Sequence, residues 1–148
     1  MKNLFLSLLV LLTSFSVKAQ NSNLPYSEKD YLITMNEVVK TISDLSNGED
    51  TTVTQRLMDL SNNEVYVLTF SNGVTIDQDT ISTYAIEEWF VPTVNSLTTY
   101  SPTTAKVIEK DLDKWGVWFR VKVTDIYGEY YTIDLAINRE NKISCIVL

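Results

Sequence analysis

Four residues stand out as candidates to line a binding pocket: Glu88, Trp89, Trp115 and Tyr131. Glu88 is the acid best placed for proton transfer, because a helical wheel begun at Ile81 brings it back to the edge of an apolar stripe while Glu87 points away. A carboxylate held inside a pocket is the kind of group that serves as a general base. The competing reading is an ordinary exposed glutamate at the helix margin, since unpaired acids seldom bury. Trp89 lies on the same stripe. Trp115 and Tyr131 fall near opposite ends of one apolar strand face, where an aromatic body packs and a polar tip reaches a pocket mouth; plain core packing competes for both.

The rest of the inventory closes off most other chemistries. The 148 residues contain no histidine, one cysteine and four glycines. A Ser-His-Asp triad is therefore excluded, transition metals lack their usual ligands, and no glycine-rich phosphate loop is present. Asp77-Gln78-Asp79 and Asp111-Leu112-Asp113 lack the glycine, the ligand count and the distal glutamate of a calcium loop, and read as solvated turns. No catalytic residue, metal site or cofactor is assigned. Cys145 has no partner in the chain, and its alternation with Ile143 and Val147 predicts an inert buried thiol.

Residues 1–19 predict a cleaved signal peptide. Lys2 supplies the charged start, an apolar run from Leu4 to Leu12 is too short for the roughly 20 residues of a membrane span, and Val17-Lys18-Ala19 offers small residues before Gln20. A short polar segment, 20–26, then leads into a single domain, 27–148. The expected location is periplasmic or extracellular, with no membrane span after cleavage. Removal of Lys2 and Lys18 leaves ten basic and nineteen acidic residues, a net charge of −9. With that charge and no basic run, nucleic acid is not an expected partner. About 129 residues are enough to bury one core without disulfides.

Those pocket candidates must be positioned by helices and strands that the pattern marks out. Ser27-Glu28-Lys29-Asp30 has the form of a capping box, with Tyr26 and Tyr31 as its hydrophobic staple. Leu32, Met35, Val38, Val39, Ile42 and Leu45 follow at helical spacing until Asn47-Gly48. Val53, Leu57 and Leu60 suggest a second short helix over 51–60, although Thr52-Val53-Thr54 also suits a strand. A strand over 65–70, a hairpin turn at Asn72-Gly73 and a strand over 74–76 come next. A third helix is predicted from about Thr80, with Ile81, Tyr84, Ala85 and Trp89 on one stripe and Pro92 ending or kinking it.

The last third carries the strongest pattern. Trp115, Val117, Phe119, Val121 and Val123 alternate with polar residues, and Tyr131, Ile133, Leu135 and Ile137 repeat the alternation. Because a one-residue slip would reverse every side chain, a three-residue loop of Ile126, Tyr127 and Gly128 is required. It pairs Val123 with Tyr131, Val121 with Ile133, Phe119 with Leu135 and Val117 with Ile137, and sets Arg120 beside Asp134. A loop of Arg139, Glu140 and Asn141 likewise pairs Leu135 with Cys145 and Ile133 with Val147. On the outer face that register clusters Trp118, Ala136, Ile146 and Leu148, an apolar patch suited to a partner. Residues 105–112 read as a further strand whose alternation is too poor to fix a register.

Helix, short helix, short hairpin, helix and a run of long antiparallel strands ending in Asn138-Arg139-Glu140-Asn141-Lys142-Ile143-Ser144-Cys145-Ile146-Val147-Leu148 resembles the NTF2-like superfamily, which includes SnoaL-like cyclases and ketosteroid isomerases. A cystatin-like arrangement is the nearest alternative. The resemblance spans nearly the whole mature chain and implies an α+β cone, helices packed on a strongly curved, mainly antiparallel sheet around a pocket. It further implies acid/base chemistry with an aspartate or histidine base. Here histidine is absent, and the strand that carries the isomerase aspartate reads Val65-Tyr66-Val67-Leu68-Thr69-Phe70. The resemblance also implies a homodimer through the outer sheet face. The expected function is thus an exported, non-catalytic domain binding a small apolar or amphipathic ligand or a protein partner. The alternative is an isomerase or cyclase using a displaced acid.

Overall fold

A computed structural model of the chain describes residues 24–48, 51–71, 74–82, 84–97 and 103–148. In chain order it has helix α1 (Glu28–Ser46), helix α2 (Thr51–Asp59), strands β1 (Ser61–Ser71) and β2 (Val74–Ile81), a π-helical turn (Ile86–Phe90) running into helix α3 (Val91–Leu97), and strands β3 (Thr103–Asp113), β4 (Gly116–Asp125), β5 (Tyr130–Asn138) and β6 (Ile143–Val147). The signal segment and the Asn72-Gly73 turn lie outside the described residues.

The start of α1 follows from its sequence. The Ser27 amide donates to Asp30 Oδ2 at 3.0 Å while the Asp30 amide donates to Ser27 Oγ at 3.3 Å, so the cap and the third helical residue satisfy each other's free N–H groups. The Asp30 carboxyl is held below its ordinary value of 3.8, chiefly by hydrogen bonds from the Ser27 side chain and backbone. The Tyr26 and Tyr31 rings meet edge to face at 6.1 Å, and the buried Tyr31 hydroxyl donates to the Arg139 carbonyl at 2.9 Å. The staple thus fastens the helix to the β5–β6 loop. Gly48, with φ of 77°, ends the helix in the left-handed conformation that glycine adopts without strain. For residues 51–59, burial of Val53 and Leu57 on one helical face overrides the strand preference of the threonines.

The third helix departs from expectation. Thr80 and Ile81 belong to β2, which extends well past residue 76. The helical turn that follows is wide: the Val91 amide donates to the Ile86 carbonyl, five residues back. The extra residue shifts the buried stripe to Ala85, Ile86, Phe90 and Val94. Pro92 does not end the helix, which continues to Leu97. Asp77-Gln78-Asp79 and Asp111-Leu112-Asp113 lie in β2 and β3, and are strand residues where turns were expected.

The six strands run in the order β2-β1-β6-β5-β4-β3. All neighbouring pairs are antiparallel except β1 and β6. The β4–β5 register is the one the alternation requires, with Val121 opposite Ile133 and Arg120 opposite Asp134. Its loop closes where the Asp125 amide donates to the Glu129 carbonyl at 2.9 Å, leaving three residues between, with Gly128 at φ 85°. The β5–β6 pair starts in the expected register, with Ile137 opposite Ile143, and then slips by one residue, so that Ala136 meets Cys145 and Leu135 meets Ile146. Ser144 is the extra residue of this bulge. One face of β4, β5, β6 and β1 is buried beneath α1, α2, the π-turn and α3, forming a single core.

Candidate functional site

The structure does not gather the four pocket candidates. Glu88 is exposed, and Trp89 is 37% exposed on the outer side of the π-turn, because the wide turn gives its inward place to Phe90. Trp115 is not a strand residue: it occupies the two-residue turn between β3 and β4 and is 64% exposed. Its amide donates to Asp113 Oδ1 at 2.7 Å, and the Lys114 ammonium lies 5.1 Å from its ring centre. At Gly116, φ is 133° and an added Cβ would collide with the Ile137 carbonyl, so the chain enters β4 through a conformation only glycine holds.

Tyr131 is inward-facing and half-buried, its hydroxyl 3.1 Å from Ser46 Oγ at the end of α1. Burial raises its phenol pKa above 10.0, against a smaller opposing effect of the Ser46 bond. It pairs with Val123, near the far end of β4 from Trp115. Eight residue steps, about 26 Å of extended chain, separate Trp115 from Val123. The inner face between them is filled: Val117, Phe119, Val121, Val123, Ile133, Leu135 and Ile137 are each at most 2% exposed. Buried polar residues among those described are Thr34, Thr41, Ser46, Ser61 and Thr103, none of them an acid.

The outer face also differs from its expected composition. The Ser144 bulge turns Ile146 inward, fully buried, and Leu148 packs against the core. Cys145 takes the outward place, half-buried, its thiol pKa raised by desolvation. A row of paired residues therefore crosses four strands: Trp118, Ala136, Cys145 and Tyr66, the last 45% exposed. Arg120 flanks this row. Its guanidinium lies 5.3 Å from the Trp118 ring centre and donates from Nε to Asp134 Oδ1 at 2.6 Å and from NH2 to Oδ2 at 2.8 Å, with Glu109 3.3 Å from NH1. This fork fixes the cation over the indole.

A groove that no local pattern announced lies between α1 and β3. It has a volume of about 600 Å³, with Met35, Asn36 and Val39 on the helical wall and residues 105–110 on the other. Its size is that of a small-ligand site. A second depression of about 350 Å³ between α1 and α2 is lined by Glu37, Lys40, Thr41, Arg56, Asp59 and Leu60. This lining is mostly charged, and Arg56 is already paired with Asp44 at 2.8 Å. Neither depression includes Glu88, Trp89, Trp115 or Tyr131. Among the described residues, no group of three or more acids and Cys145 could hold a metal.

Solved structures share this architecture. A DUF4783 family protein from Bacteroides fragilis superposes with a TM-score of 0.51 at 14% identity, over 75% of this chain and 92% of that one. A variant named as an NTF2 protein gives 0.50 at 12% identity, over 82% and 98%. An NTF2-like protein of unknown function from Exiguobacterium gives 0.45 at 16% identity, over 77% and 94%. No family model and no curated protein matches the chain. At such identities the likeness defines a fold and not an activity: the chain shares the α+β fold of the Bacteroides fragilis protein and of the NTF2 variant.

Proposed function

We propose that this protein is an exported, non-catalytic NTF2-like domain that binds a ligand in the groove between α1 and β3. The observation that carries the reading is the groove's mixed lining, in which Met35, Val39, Ala105, Val107 and Ile108 stand among Asn36, Lys106, Glu109 and Lys110, in a molecule whose inner sheet face is otherwise occupied by its own side chains. A non-catalytic role is favoured because Glu88 is exposed and, among the residues whose burial is described, no acid is buried. Native mass spectrometry of the protein isolated from its host tests export, ligand and assembly together. The expected species lacks residues 1–19 and carries added ligand mass. A chain retaining those residues refutes export, and a bare chain that accepts no added ligand refutes the binding reading.

A second reading, self-association through the outer sheet face, is favoured by the row of Trp118, Ala136, Cys145 and Tyr66. An aromatic and aliphatic row flanked by a fixed arginine has the composition of an interface centre. A dimer in the same mass spectrum that Trp118→Glu dissociates supports it; a monomer at micromolar concentration removes it.

A further inference from the structure

The β wall of the groove is six consecutive residues, 105–110, of a strand at the end of the sheet order. Among the described residues no strand pairs with its other edge. At Thr103 the Asn47 side chain takes that place, accepting from the backbone N–H at 2.8 Å and donating to the C=O at 3.2 Å, and edge groups without such a partner are open to a further strand. A hydrocarbon ligand laid along that edge would strip water from those groups and return no hydrogen bonds. A second extended backbone would replace them. The opposite wall suits such a strand, because Met35 and Val39 are one helical turn apart and meet alternate side chains of an extended chain.

Charge narrows the occupant further. Lys106 and Lys110 form no ion pair among the described residues, whereas Glu109 is engaged by Arg120 at 3.3 Å. Lys106, opposite Lys122, lies on the outer side of the β3 edge and Lys110, opposite Phe119, on the inner side, so the edge carries positive charge on both sides on an acidic protein. Lys106 also stands directly opposite Lys122, a like-charged cross-strand pair in which Lys122 is turned over the Tyr130 ring at 3.8 Å while Lys106 has no such contact among the described residues. The register of β3 shifts at Ile108, between Val107 and Glu109. Such a bulge, with its flanking lysines, discourages edge-to-edge pairing of identical sheets.

We infer that β3 is a docking edge for an extended peptide segment of a partner protein, apolar at alternate positions and acidic between them, which joins the sheet as an added strand. This rests on the groove being the ligand site. The test titrates the protein isolated from its host with an acetylated, amidated hexapeptide alternating valine and glutamate, read by calorimetry and amide hydrogen exchange. Expected are saturable binding and protection within 105–110. Methylating alternate peptide nitrogens, or exchanging glutamate for lysine, should each weaken binding by about tenfold or more. The exposed double variant Lys106→Glu/Lys110→Glu should reverse the charge preference. Equal binding of the N-methylated peptide, or protection elsewhere, overturns the inference. Binding of dodecanoate in the groove without peptide binding overturns it but leaves the ligand groove standing. If neither probe binds, both fall.

Discussion

On the inner face of β4, Val117, Phe119, Val121 and Val123 are at most 2% exposed; on its outer face Trp118, Arg120, Lys122 and Thr124 remain half-exposed. The two faces obey one alternation but depend on different physics. The inner face is held by close packing, where a missing methylene leaves a void. The outer face is held by pairings across strands, Arg120 with Asp134 and Lys122 3.8 Å from the Tyr130 ring centre, which water and salt weaken. A strand pattern therefore identifies both faces, but only the inner one fixes the fold.

Substitutions on neighbouring residues should separate the faces. Phe119→Ala is expected to cost about 3–5 kcal/mol in denaturant unfolding, while Trp118→Ala, on the adjacent outward position, should cost less than half as much; equal losses would erase the distinction. The bulge at Ser144 reverses the assignment of the next two residues relative to a regular strand. Ile146→Ser should accordingly cost about 3 kcal/mol or more, and Cys145→Ser under about 1 kcal/mol. The opposite ranking would place the bulge elsewhere.

At the rim of the inner face, Tyr131→Phe should lose about 1 kcal/mol with its bond to Ser46. Because the folded phenol titrates above its ordinary 10.0, the contribution of Tyr131 is complete below pH 10 and is lost as pH rises through the folded value. Unfolding of wild type and Tyr131→Phe across pH 8–12 measures this, and parallel curves would contradict it. The smallest effect is expected on the outer face. Arg120→Met should lower the Tm slightly at low salt, with the difference shrinking as ionic strength rises.

The parts of the fold legible in sequence are those where local pattern and tertiary demand coincide. The alternation in β4 and β5 allowed one register, and Ser27 with Asp30 marked a helix start, because each is decided within a few residues. What escaped was a set of one-residue insertions. Ser144 resembles any strand residue, and the shift at Ile108 accounts for the poor alternation over 105–112. The π-turn moved the buried position from Trp89 to Phe90, taking Trp89 and Glu88 out of the expected pocket. The groove was hidden for another reason. Met35 and Val39 belong to the core-facing stripe of α1, and their facing residues lie more than 60 positions away in sequence.

The position of β6 has a consequence for when the molecule acquires its shape. This strand of five residues lies between β1 and β5, yet every other element of the sheet precedes it in the chain. It carries the parallel pairing to β1, reinforced where the Ile143 amide donates to the Leu60 carbonyl at 2.9 Å and the Leu148 amide to the Leu68 carbonyl at 2.8 Å. Until those residues emerge, the β1–β2 hairpin and the β3–β5 meander have no shared edge. Assembly of the sheet is thus a late, long-range event. For a chain proposed to be exported, that order of events ties completion of the sheet to the arrival of its last strand.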